Sequence, residues 1–311
     1  MFPFMDFPAE IRALVLEHAL LDSRDPPGYP SKEGRRRFWE FGHTTPRYGP
    51  YWETFRTHSP SNALQLLLTS RQISAETQAV LNLVKETNYH LDISVLDDDE
   101  LYATWLCVPR LSTRIDVIEV DVRLFGNIIY PQVAARHKGD GGHTRYEWDF
   151  LVLLERFLTV GPVSQKRKLD KNADQDSPVG RHSYSDREIK VKTIVLNFSS
   201  AEEGGEFPPR EISYEDWQWQ CMARPRNRDE IWLEEYNTRP EWLAELLSKE
   251  IHHCLHFERN AGYGKLMMQR LGKIKMFVDG KPFQEIDVAG RLDDLKYRPQ
   301  GQSVPDWIQD I

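Results

Sequence analysis

The sequence predicts an α+β or α/β chain in which N-terminal helices pack on an irregular helix–strand body. Three observations lead there. A proline-led segment with helical apolar spacing opens the chain, at Pro8 to Leu20. Ile118, Val120, Val122 and Leu124 alternate with Glu119, Asp121 and Arg123, the period of a half-buried strand. Trp148 to Val160 returns to helical spacing before a second apolar run at Val191 to Phe198.

The elements follow in order. In the first helix Glu10 suits the positive end of the helix dipole. Ile11, Leu14, Val15 and His18 form one stripe, which should pack on the segment Ser61 to Lys85. There Ala63, Leu66 and Leu67 form one apolar stripe and Ile73, Val80, Leu81 and Val84 another. Asp22 to Pro60 reads as a loop, rich in proline but holding Tyr29, Phe38, Trp39, Phe41, Tyr48, Tyr51, Trp52 and Phe55. So many aromatics should fold back onto the body, since a long structureless loop is unusual. Residues 1–87 would thus form a helical module with a long insertion at 22–60, and residues 88–311 an α/β body.

Within the body, Asn88 to Val95 reads as a strand, and the acidic run Asp97 to Glu100 as the start of a helix carrying Leu101, Trp105 and Leu106. Trp148 to Val160 should bury Leu151, Leu154, Phe157 and Leu158 and stop at Gly161-Pro162. Residues 163–190 are polar and read as a mobile loop. A long helix starts at Thr238 and would end at Gly262, with Leu243, Leu246, Leu247, Ile251 and Leu255 inside. Ile274 to Val278, Asp279-Gly280 and Phe283 to Val288 predict a hairpin, because Asp-Gly supplies the positive φ angles of a tight turn.

Composition narrows the function classes. The 311 residues are 40% apolar and 28% charged, with 9 Trp, 14 Phe and 12 Tyr, so a real core is expected. A net charge of −8 argues against a general nucleic-acid binder. The three cysteines, Cys107, Cys221 and Cys254, are odd in number and far apart, which fits a reducing compartment, cytoplasmic or nuclear. No apolar run is long enough to span a bilayer, and the N-terminus lacks the pattern of a signal peptide.

Chemistry-bearing motifs are sparse. His252 and His256 stand one helical turn apart and are the best metal candidates, but no third ligand follows and His253 occupies the place of a zinc protease's glutamate. Cys254 beside them is a conceivable thiol nucleophile. No glycine-rich phosphate loop or nucleophile elbow is present, so no catalytic residue and no cofactor are assigned. Lys166, Arg167 and Lys168 form a candidate import signal, equally readable as a charged loop. Arg35 to Arg37 beside Phe38-Trp39 could meet nucleic acid by charge and stacking, or simply pack.

Phe7-Pro8-Ala9-Glu10-Ile11-Arg12, followed by Leu66 to Ile73 (LLLTSRQI) and Glu76-Thr77, resembles the split F-box-like module of a group of mostly uncharacterised fungal proteins. Ile118 to Phe125 and Phe157 to Pro162 resemble their body. In F-box proteins the Leu-Pro start and the apolar helix faces hold a Skp-type adaptor of a cullin ubiquitin ligase. The resemblance therefore implies a noncatalytic adaptor docking through Phe7, Pro8, Ile11, Leu14, Val15, Leu66 and Leu67. Two departures stand out: Phe7 replaces the usual leucine, and the insertion at 22–60 is foreign to a compact F-box. The alternatives are a self-contained scaffold, a nuclear regulator, or a metal- or thiol-dependent enzyme.

Overall fold

A computed structural model describes residues 4–30, 35–37, 51–53, 61–98, 100–126, 145–162, 186–201, 205–217, 236–256 and 261–296. Its centre is a mixed sheet with helices layered on one face, as the α+β reading expects.

A 3-10 turn at Phe4–Asp6 leads into α1 (Ala9–Leu21), with Pro8 just before its first turn. After the three-residue strands β1 (Arg35–Arg37) and β2 (Tyr51–Glu53) come α2 (Asn62–Leu67) and α3 (Arg71–Leu83). Ser70 caps α3 by accepting the Ile73 amide on its hydroxyl (3.2 Å). Leu16 and Leu20 of α1, Ala63 of α2, and Val80 and Leu81 of α3 form a small core of their own. The Asn62 amide donates to the Val108 carbonyl, and Arg110 to that of Leu81, tying this module to the body.

The body supplies β3 (Asn88–Leu96), β4 (Glu100–Cys107), β5 (Arg114–Phe125), α4 (Arg145–Val160) and β6 (Lys190–Ser200). Then follow α5 (Pro240–Leu255), α6 (Ala261–Arg270), β7 (Leu271–Val278), β8 (Lys281–Asp287) and α7 (Val288–Lys296). The strand order is β1-β2-β4-β3-β5-β6-β7-β8. β3, β5, β6 and β7 run parallel, while β4 and β8 turn back antiparallel at either side.

The parallel strands explain the layering. A parallel step needs a crossover, and α4 bridges β5 to β6 while α5 and α6 bridge β6 to β7. Ile118, Val120, Val122 and Leu124 join Leu151, Phe157, Leu247 and Ile251 in one continuous core. α4 stops where expected: Gly161 takes φ +86°, its amide bonding the Phe157 carbonyl. The β7–β8 hairpin turns on Asp279 (φ +48°) and Gly280 (φ +72°), the geometry Asp-Gly favours.

Three expectations are corrected. The stripe Ile11, Leu14, Val15 and His18 does not pack on residues 61–85; α1 turns Leu16, Leu20 and Arg12 inward instead. Leu101 to Leu106 is strand β4, not helix. Asp97 and Asp98 both adopt positive φ and reverse the chain, and β4 pairs antiparallel with β3. Apolar residues on both of its faces hide the two-residue alternation. The long helix ends at Leu255, and Gly262 lies inside α6. Gly264 lets α6 approach so closely that a Cβ there would stand 2.0 Å from the Cys254 carbonyl oxygen.

The insertion is described in part. Asp22 to Pro30 runs along the sheet, and exposed Tyr29 meets Phe125 edge-on at 5.5 Å between ring centroids. Phe38, Trp39, Phe41, Tyr48 and Phe55 lie outside the described residues, as do Cys221, Lys166, Arg167, Lys168 and most of the 163–190 loop.

Candidate functional site

The site begins with the chemistry of α1. Nine of its thirteen residues, AEIRALVLEHALL, are Ala, Leu, Ile or Val, so apolar side chains surround the whole axis. A helix apolar all round is ordinarily buried on every side, but this one buries one side and leaves apolar surface on the other. Leu20 is fully buried, whereas Ile11, Leu14 and Val15 are 42%, 53% and 46% exposed. Leu64 and Leu68 of the neighbouring helix segment are exposed as well. Phe7 is half-buried and Pro8 exposed at the same end. Leu66 and Leu67, assigned to docking by sequence, sit against the module's own core and are half-buried.

One buried polar contact sets the face outward. Arg12 is among the inward residues of α1, and its guanidinium grips Glu76 of α3: Nη2 donates to Oε1 at 2.7 Å and Nε to Oε2 at 3.0 Å. Its Nη1 also donates to the Phe7 carbonyl. The guanidinium holds the Glu76 carboxyl below its ordinary range. Arg12 therefore fixes both the rotation of α1 and the entry of the Phe7-Pro8 segment.

The sheet face opposite the helices carries a second arrangement, missed by sequence because its members lie far apart in the chain. Ser23 Oγ is 2.9 Å from His90 Nδ1, and His90 Nε2 is 2.8 Å from Asp121 Oδ2. The connectivity is that of a serine activated by a histidine and a carboxylate. The surroundings serve another purpose. Hydrogen bonding to Asp121 raises the His90 pKa, which favours imidazolium over a free base. The Arg24 amide, the next donor after Ser23, is committed to the Leu106 carbonyl. Arg123 Nη2 donates to the Pro27 carbonyl (2.7 Å) while Nε holds buried Asp92 (2.5 Å). Together these contacts strap residues 22–30 across the sheet.

The histidine cluster does not assemble into a centre. His252 Nδ1 and His256 Nδ1 each bond a carbonyl of their own helix at 2.8 Å, and their rings lie parallel, 6.3 Å apart. Among the described residues no three metal-ligating side chains come together. Cys254 is buried beside Glu250, and burial pushes its thiol far above the ordinary value. A nucleophilic cysteine needs the opposite shift.

Comparison with known protein families, characterised proteins and solved structures finds no match. Among the described residues no helix is long and apolar enough to cross a membrane.

Proposed function

We propose that the chain is a noncatalytic protein-interaction adaptor whose N-terminal helices dock a Skp-type adaptor, making it a substrate-recognition subunit of a cullin ubiquitin ligase. The observation that carries this reading is the second apolar face of α1. Ile11, Leu14 and Val15 face outward beside the Phe7-Pro8 start, where the F-box resemblance places its contacts. Had the helices served only a self-contained scaffold, that stripe would be expected inside the module's core. An exposed aliphatic patch at the centre of an interface gains affinity by leaving water on binding.

The test is co-expression with a Skp-type adaptor, followed by size-exclusion chromatography with light scattering. A one-to-one complex is expected. Ile11→Asp with Leu14→Asp should abolish it while the circular dichroism spectrum is unchanged, because both positions are exposed in the free chain. A folded double variant that still forms the complex would defeat this assignment of the face.

A further inference from the structure

The parallel strands bring their carboxyl ends to one edge of the sheet. Here the edge holds a cavity of about 400 Å³ between the start of α5 and the β7–β8 turn. This volume falls in the range of small-molecule sites.

Its wall carries charges of both signs on fixed supports. Arg239 precedes α5, with Nε donating to the Pro208 carbonyl at 2.7 Å and Nη2 donating to the same oxygen. Its guanidinium also stacks 5.5 Å from the Phe207 ring centroid. Nη1 is left uncommitted among the described contacts. Glu241, two residues on, lines the same wall half-buried. Asp279 and Lys281 line the rim on the hairpin, and exposed Arg210 completes the charged lining. Among the described residues no ion pair joins Glu241, Asp279 or Lys281 to a partner, although both signs share one cavity. Trp242, buried against Tyr214, and exposed Phe283 supply the apolar surfaces.

We infer that this cavity binds a small zwitterion with an apolar side chain, of the α-amino acid type. Arg239 takes the carboxylate, Glu241 takes the ammonium, and the side chain lies between Trp242 and Phe283. The lining's three cations, Arg210, Arg239 and Lys281, outnumber its two carboxylates and favour a ligand that carries a carboxylate. An ammonium on the same ligand answers Glu241, and a purely apolar ligand would strand charges of both signs away from water. The inference does not depend on the docking role of α1.

Calorimetric titration of the full chain with phenylalanine, N-acetylphenylalanine, phenylalanine amide and inorganic phosphate tests it. Phenylalanine should bind, and each blocked derivative should bind about tenfold or more weaker, the value of one charge-assisted hydrogen bond. Glu241→Gln should erase the preference for phenylalanine over its N-acetyl form while the melting curve stays unchanged. Silence with phenylalanine, equal binding of either blocked form, or phosphate binding as tightly as phenylalanine would each overturn the proposal. N-acetylphenylalanine as the tightest probe would point instead to a peptide's carboxyl terminus.

Discussion

Arg12 and Glu76 join α1 to α3 through a two-pronged contact, Nη2 to Oε1 at 2.7 Å and Nε to Oε2 at 3.0 Å. The fork geometry is specific to arginine. Arg12→Lys keeps the charge but loses one prong and the bond to the Phe7 carbonyl. It should therefore loosen the entry of α1, seen as faster amide exchange across residues 9–21 with little change in β5. Acid acts in the same direction. The Glu76 pKa is depressed in the folded chain, so its contribution is present above the unfolded value and fades as pH falls through the folded one. Glu76→Gln should remove that acid-side loss.

The two faces of α1 should respond differently to truncation. Leu20→Ala opens a cavity in a small core and should cost about 2–5 kcal/mol in urea melts. Leu14→Ala removes an exposed side chain and should stay within about 0.5 kcal/mol. Equal effects would mean that α1 is rotated from the position described.

The contrast between those leucines marks where the sequence was readable. β5 could be read directly, because Glu119, Asp121 and Arg123 interrupt its apolar residues at period two. α4 was as plain, with Leu151, Leu154, Phe157 and Leu158 at helical spacing and Gly161 at its end. α1 was not, since apolar residues encircle it and spacing alone could not choose between Ile11-Leu14-Val15 and Leu16-Leu20. The deciding residue was Arg12, whose burial depends on Glu76, 64 positions away. β4 misled for a related reason: both its faces are covered, and the acidic Asp97 to Glu100 run serves a reverse turn as well as a helix start. The Ser23–His90–Asp121 chain and the cavity at Arg239 exist only after strands from distant segments align.

His90 and Asp121 predict a pH dependence. The His90 pKa is raised, first by its hydrogen bond to Asp121, so protonated His90 stabilises the fold. Its contribution is complete below the unfolded histidine value of about 6.5 and is lost as pH rises through the folded value. The Asp121 pKa is depressed by the same contact, and its share disappears only in acid. Urea midpoints measured between pH 6 and 8 should fall with rising pH, and His90→Gln should flatten that slope. An unchanged slope in the variant would assign the dependence to other groups.

Asp92 predicts the largest single-residue effect on the polar face. Its side chain is fully buried and accepts from Arg123 Nε at 2.5 Å, from Arg123 Nη2 at 3.0 Å, and from the Ser94 hydroxyl at 3.1 Å. Arg123→Ala leaves a buried carboxylate with one neutral donor, and breaking such a pair costs about 3–5 kcal/mol. Arg123→Ala with Asp92→Ala removes the stranded charge and should recover part of the loss. The same arginine holds the Pro27 carbonyl, so the single variant should also free residues 22–30 for amide exchange. The double variant should recover stability without recovering protection of that strap, because the Pro27 contact remains absent. Recovery of both would show that Ser23, Arg24 and Tyr29 hold the strap without Arg123.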